Sequence, residues 1–443
     1  MNGKRPYKLP EPLLCSADKE INMALVGEYI RKHEERMPRY SYLENLYKGF
    51  HDVFRLPEKE KWKPDNRLAV NFPRYITETF LGYAYGIPIK KSHPDANIKD
   101  AILEFDRDND ISDQEYELAK KCCIYGHAFE YFYQDEEAKT KTVICNPKEL
   151  FVVYDDTVKN RALFAVRYGK MDDNVTRYGE ILTRTEIIPF EGEKMQESVP
   201  NPYGRINCVE YLLNDERIGL YEEVAGMIEV YNRVIGEKAN DVDSFAELDE
   251  EGVYKIRDNR IINLYGTDNA KDIIVQFLGK PTADGTQENL LNRLENLIYQ
   301  TSMVANISDE SFGNASGTSL AYKLQSMSNL ALTFDRKVEK SMRKRYKLFC
   351  SLATNVPDRD AWKDIDFTMS RNIPKNLLEE AQTAQALESI VSKETQLQVL
   401  SIVKDASKEI DRMEKEDEKK QETIVDKRMF GGAVDGQQDV LEE

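Results

Sequence analysis

The sequence predicts an α+β fold, predominantly helical, on three observations. The first is a run from Ser319 to Asn355 that neither proline nor glycine interrupts. Within it Leu320, Leu324, Met327, Ala331, Phe334 and Val338 recur at spacings of four and three, which draws one apolar stripe down a helix. The second is another long helical face, marked by Val224, Met227, Ile228, Tyr231, Val234 and Ile235. The third lies between Thr140 and Ile188, where apolar and β-branched runs are separated by turn residues and read as a mostly antiparallel sheet.

Taken in order, residues 1–20 are polar and proline-containing and predict a poorly ordered arm. Ala17 to Gly49 reads as helix with a break at Met37-Pro38, and Tyr40, Tyr42, Leu46, Tyr47 and Phe50 form an aromatic cluster that reads as core. A helix follows Asn71-Phe72-Pro73 and ends at Gly82, Gly86 and Pro88. Ala96–Asn109 and Asp113–Tyr125 read as two more, with Asp113 as a cap and Gly126 closing the second. Strands are expected at 128–133, 142–145, 151–154, 163–168, 176–178 and 183–188. Helix is expected from Leu220 to Ala246, strands from Val253 to Leu278, and helix again from Glu288 to Val304. After the long helix come a short strand at Phe367–Met369, helix from Pro374 to Ser407, and a charged tail from Lys408 that reads as frayed.

The segment before the long helix, Asn306-Ile-Ser-Asp-Glu-Ser-Phe-Gly-Asn-Ala-Ser-Gly-Thr318, is rich in small residues that anchor no core. Gly313 and Gly317 let it bend, and Ser316 or Thr318 would cap the helix. A helix of that length spans roughly 45–50 Å at about 1.5 Å per residue and would support the whole subunit. Its last third carries Arg336, Lys337, Lys340, Arg343, Lys344, Arg345 and Lys347. Such a run reads as a solvated face, or as a contact for phosphates or an acidic neighbour.

At 443 residues the chain has room for about two to four domains. A formal charge of −17 argues against a protein that coats nucleic acid, which would be basic, but not against one that lets it pass. The six cysteines form no CxxC pair, so free thiols are expected, and no run of about eighteen apolar residues marks a membrane span. Neither a P-loop nor GxGxxG, HExxH or GxSxG occurs. Asp155-Asp156 at a strand end could hold a divalent metal, or simply make a turn. Cys122, Cys123 and His127 cluster at a helix end, but a thiol there reads as a small buried hydrophobe rather than a nucleophile. No catalytic residue, metal or cofactor is therefore expected.

Four blocks, in order, carry a resemblance. They are Asn66-Arg67…Val70-Asn71-Phe72-Pro73…Tyr75-Ile76 with Gly82-Tyr83…Gly86-Ile-Pro88; Asn109-Asp110…Glu117-Leu-Ala-Lys120…Ile124-Tyr-Gly126…Glu130; Pro147…Phe151-Val-Val-Tyr-Asp-Asp-Thr157…Phe164-Ala-Val-Arg-Tyr168; and Asp309-Glu-Ser-Phe-Gly-Asn-Ala-Ser-Gly317…Ala321-Tyr-Lys-Leu324. Together, over roughly residues 25 to 400, the chain resembles tailed-bacteriophage portal proteins of the SPP1 type. It departs at Asn207, where the family often has proline, and at Gly236-Glu237, where Ser-Asp is common.

The resemblance implies a portal fold of wing, stem, clip and crown. Carried over, 21–219 is wing, 220–246 and 287–305 are stem helices, and 247–286 is clip. The tunnel loop is 306–318, the long wing helix 319–350, the wing return 351–373, the crown 374–407 and the tail 408–443. It implies a homo-oligomeric ring of about twelve subunits at one capsid vertex, assembled in the host bacterial cytoplasm, around a channel for double-stranded DNA. The implied partners are the terminase large subunit, a scaffolding protein, the major capsid protein and a head-completion adaptor, with no membrane. The implied DNA-facing residues are Ser311, Gly313, Asn314, Ala315, Ser316, Gly317 and Thr318, with Lys323 as the nearest phosphate contact. Acidity suits a channel in which DNA must slide, because each neutralised phosphate adds grip. Two other readings stand beside it: a metal-dependent nuclease using Asp155 and Asp156, and a helical scaffold with no DNA role.

Overall fold

The computed structural model describes residues 7–61, 63–173, 175–246, 283–307, 317–373, 377–400, 402–403 and 406–430. The strands expected at 253–278 lie outside them, as do Ser311, Gly313, Asn314, Ala315 and Ser316. Two compact units divide the chain, Met1–Asn372 and Ile373–Glu443.

The first unit opens with a strand where a loose arm was expected. Leu13–Cys15 (β1) pairs in parallel with Leu150–Asp155 (β5), Leu13 opposite Val153. Leu13 and Cys15 turn inward and Leu14 outward, so the period of two buries enough apolar surface to hold a three-residue strand. Helix α1 (Met23–Glu34) starts later than Ala17, where the Asn22 side chain accepts from the Leu25 amide at 3.0 Å. The break before α2 (Met37–Lys48) falls at Glu35-Arg36, and Pro38 sits in the first turn, where its missing N–H removes no bond.

Helices α3 (Phe72–Tyr85), α4 (Ala96–Asp108) and α5 (Ile111–Tyr125) follow. Asp113 is not the cap of α5 but lies within its first turn; Asp110, at φ 48°, precedes the helix without a side-chain capping bond. Gly126 closes α5 at φ 87°, and a Cβ there would stand 2.0 Å from the Arg217 carbonyl oxygen, so the turn requires glycine.

The sheets are β2 (Lys90–Ser92) with β12 (Asp366–Thr368), a three-stranded sheet, and a seven-stranded one. In the three-stranded sheet β3 (His127–Gln134) lies between β4 (Thr140–Cys145) and β11 (Cys208–Leu212). The larger runs β1-β5-β6-β7-β8-β10, through β6 (Ala162–Lys170), β7 (Arg177–Leu182), β8 (Glu186–Glu191) and β10 (Val199–Pro200), with β9 (Lys194–Met195) on β8. Alternation along β5 divides the core. Phe151 and Val153 pack with Val26, Tyr29 and Ile30 of α1, while Leu150 and Val152 pack with Phe129 and Cys145 of the smaller sheet.

The largest core gathers α2, α3 and α5 around the long helix. Helix α6 runs Ala225–Ala246, starting after the expected Leu220, and α7 runs Ala283–Ser302. Helix α8 spans Gly317–Phe349, 33 residues. Leu324, Met327, Ala331, Phe334 and Val338 are all buried, so the stripe read from spacing is the core face. Of the aromatic cluster, Tyr40 and Leu46 are buried, whereas Phe50 is exposed.

In the second unit, the expected continuous helix from Pro374 is two short ones, α9 (Leu377–Ala386) and α10 (Lys393–Gln398), the latter capped by Ser392. Of the tail expected to fray, 408–443, the part up to Phe430 lies in helix α11, Ala406–Phe430, and 431–443 lie outside the described residues. Its lysines, glutamates and arginines are strong helix formers, and pairs such as Arg412–Glu409 at 3.4 Å sit one turn apart. Density of charge misled the expectation; its spacing is helical.

Candidate nucleic-acid interface

The expected contact segment leaves α7 and returns as α8, and the described residues fix both ends of it. Val304 is buried, the Asn306 amide nitrogen donates to Glu295 at 3.3 Å, and the Ile307 amide donates to the Tyr75 hydroxyl at 3.1 Å. Tyr299 of α7 packs edge-on against Phe72 and Tyr75 of α3, at centroid separations of 5.8 Å. The exit is therefore pinned to α3. Helix α8 begins at Gly317, so Gly317 and Thr318 belong to its first turn and not to the loop, and Thr318 is not the cap. Early in α8, Tyr322 stands 78% exposed and Lys323 is half-buried.

The far end of α8 is clamped by buried charge. Arg345, expected on a solvated face, has no exposed surface. Its Nε donates to Glu130 of β3 at 2.9 Å, and its Nη1 donates to Glu115 of α5. Lys91 of β2 joins the cluster, 3.0 Å from Glu115 and 2.7 Å from Asp106, and the Tyr346 hydroxyl donates to Asp106 at 2.8 Å. One turn earlier the Ser341 hydroxyl donates to the Glu210 carbonyl at 2.8 Å. Further up, Asp335 accepts from Tyr85 and from Arg371.

Two more buried ion sets brace the same unit. Arg39 of α2 pairs with Glu222 and donates to the Tyr125 and Arg217 carbonyls at 3.2 and 2.8 Å. His127 Nδ1 lies 2.8 Å from Glu210, which Arg217 also grips at 2.8 and 2.9 Å. Burial alone would raise the Glu210 carboxyl, but Arg217 and His127 hold it well below the usual carboxylate range.

The residues that could have carried catalysis are otherwise engaged. Asp155 accepts from the Thr157 amide at 3.1 Å and its hydroxyl at 2.6 Å, which makes the pair with Asp156 a turn. Among the described residues, no group of three or more histidine, cysteine or acidic side chains could hold a metal. Burial pushes the Cys122 and Cys123 thiols up, and both His127 nitrogens are engaged, by Glu210 and by the Tyr40 hydroxyl at 2.9 Å.

The phage portal protein family, SPP1 Gp6-like, matches residues 26–423. The chain belongs to that family. The portal protein of Bacillus phage SPP1 is 22% identical over 84% of this chain and 80% of its own length. The portal protein of Clostridium phage phiCD119 is 20% identical, over 82% of this chain and 88% of its own length. Among solved structures, a chain from the neck of an empty GTA particle is similar at 11% identity and a TM-score of 0.43, covering 75% of this chain and 90% of that one. As a portal protein the chain is the portal component of a phage capsid, a structural part of the particle rather than an enzyme. Among the described residues, no helix of this portal protein is long and apolar enough to cross a membrane.

Two buried histidines are expected to make the unit Met1–Asn372 lose stability in acid. His33 sits between the Tyr168 hydroxyl at 2.9 Å and the Pro147 carbonyl at 2.8 Å, and burial lowers it to about 3. Burial lowers His127 to about 4. An unfolded chain takes up these protons near pH 6.5, the folded one does not, so stability falls as pH drops from about 6.5 toward 4. The expected loss at pH 5 is on the order of 2 kcal/mol per histidine. Urea midpoints compared at pH 7.5 and 5 check this, and His33→Gln should flatten the dependence; equal midpoints in the natural chain would contradict it.

Proposed function

We propose that this portal protein closes into a ring of about twelve copies at one capsid vertex. Double-stranded DNA passes through the ring during packaging and ejection. The portion 21–219 with 319–373 acts as wing, the helices 220–246 and 287–305 as stem, 247–286 as clip and 374–407 as crown. The single observation that carries the reading is family membership over residues 26–423. The anchoring of α8 supports it: one end is set by Arg345 in buried charge, and the other carries a segment of small residues. In a ring that arrangement points one copy of the segment per subunit at the axis. Ser311, Gly313, Asn314, Ala315 and Ser316, followed by Gly317, Thr318 and Lys323, then meet the duplex through small polar groups without reading bases. The motor that drives packaging is a separate terminase docked on the clip. Scaffolding protein, major capsid protein and a head-completion adaptor are the other partners, and assembly takes place in the host cytoplasm.

Negative-stain images of the purified chain test the reading. Hollow rings seen end-on are the expected result, and solid particles of one or two chains would overturn it.

A further inference from the structure

The charged groups of α8 sort into two classes. Arg345 turns into the core and Lys337 pairs with Asp215 at 2.6 Å. The remaining cations, Arg336, Lys340, Arg343, Lys344 and Lys347, follow one another at spacings of four, three, one and three residues and line a groove of about 410 Å³ with Trp362 as its wall. Glu339 is the one carboxylate in that lining, and it is taken by Arg343 at 2.8 Å. Arg336, Lys340 and Lys344 are exposed and have no carboxylate within ion-pair distance among the described residues. The Lys347 ammonium lies 4.5 Å over the Trp362 ring, and burial, then Arg205, lowers its affinity for the proton. So like charges crowd together on a chain whose formal charge is −17. Self-repulsion of this kind is held by the fold and relieved by a polyanion.

We propose that this groove grips the phosphate backbone of duplex DNA, at a point on the wing distinct from the segment 306–318. The stripe from Arg336 to Lys347 covers about 16 Å of helix at roughly 1.5 Å per residue. That faces roughly five phosphates of one strand at about 3.4 Å each. Lys340 lies about 35 Å along α8 from Gly317, so the two contacts are separate. Three features favour duplex backbone over other polyanions. The exposed Lys340 and Lys344 are point charges on flexible stems with no fixed fork geometry, which suits phosphate tracking more than a bidentate grip on an acidic peptide. The Lys347 ammonium already covers one face of the indole, which closes that face to the stacking of an unpaired base. The row is straight, as a helix is, and matches a stiff rod. The inference rests on the reading that the portal works beside duplex DNA.

The test uses the full-length chain in its assembled form. A labelled duplex of arbitrary sequence is titrated by fluorescence anisotropy between about 50 and 200 mM salt, for the natural chain and for Arg336→Gln with Lys340→Gln and Lys344→Gln. Expected are an affinity at least about tenfold lower at the low-salt end and a log–log salt slope shallower by about 3. Native mass checks that assembly is unchanged. Should the triple variant not assemble, Lys340→Gln alone is expected to reduce the slope by about 1. Three results overturn the proposal: no duplex binding by the natural chain, equal affinity and slope in the variant, or tighter binding of polyglutamate than of duplex at the same residues. Duplex binding that survives in the groove variant but is lost in Lys323→Gln overturns the groove alone and leaves the channel reading standing.

Discussion

Replacing Arg345 with leucine is expected to destabilise the unit Met1–Asn372 by about 3–5 kcal/mol, the usual cost of removing one partner from a buried ion set. The reason lies in what is left behind. Glu115 and Asp106 would keep Lys91 within ion-pair distance, while Glu130, which has no exposed surface, would lose the cation it pairs with. Leucine fills part of the volume but offers no hydrogen bond to either glutamate. Thermal unfolding should shift down on the order of 5–10 °C. Arg343→Leu, half-buried and paired with Glu339 within the same helix, should cost well under about 1 kcal/mol. Equal melting temperatures for Arg345→Leu and the natural chain would show that the clamp does not hold α8.

Gly317→Val is expected to leave the ring intact while DNA packaging into capsids falls to a small fraction of the natural level. Gly317 is the first residue of α8, at the junction with the segment 306–316. A β-branched residue narrows the backbone freedom of that junction without touching the buried stripe that starts at Leu324. The apolar and ionic contacts that fold the subunit lie farther along the helix, so assembly should survive. Counting filled capsids by sedimentation, beside the mass of the purified ring, separates the outcomes. Normal filling would make the segment a plain connector, and loss of the ring would make it a structural brace.

What was legible in the chain follows from how local each signal is. The stripe Leu324, Met327, Ala331, Phe334 and Val338 is written at helical spacing, and all of it is buried. The strands β3 to β8 were visible as β-branched and aromatic runs between turns. Arg345 was not, because nothing in Arg343-Lys-Arg-Tyr346 distinguishes the inward cation from the outward ones. Its partner Glu130 lies 215 residues away. The same holds for β1, whose polar neighbourhood hides Leu13 and Cys15 until β5 arrives beside them. In α11 the error ran the other way: dense charge read as disorder, although lysine and glutamate at helical spacing support a helix. Of the expected DNA-facing residues, Gly317, Thr318 and Lys323 fall on α8, and the five before them lie outside the described residues. The basic groove was half legible: the cations were evident as a run, while their division between core and groove needed Trp362 and Glu130 in place.

Native mass spectrometry of the purified chain decides whether its copies close into a ring. One chain weighs 51.2 kDa. The expected result is a dominant closed species of about twelve chains, on the order of 600 kDa, with subunits lost one at a time on activation. A spectrum of monomer alone at micromolar concentration, with and without added salt, would contradict it.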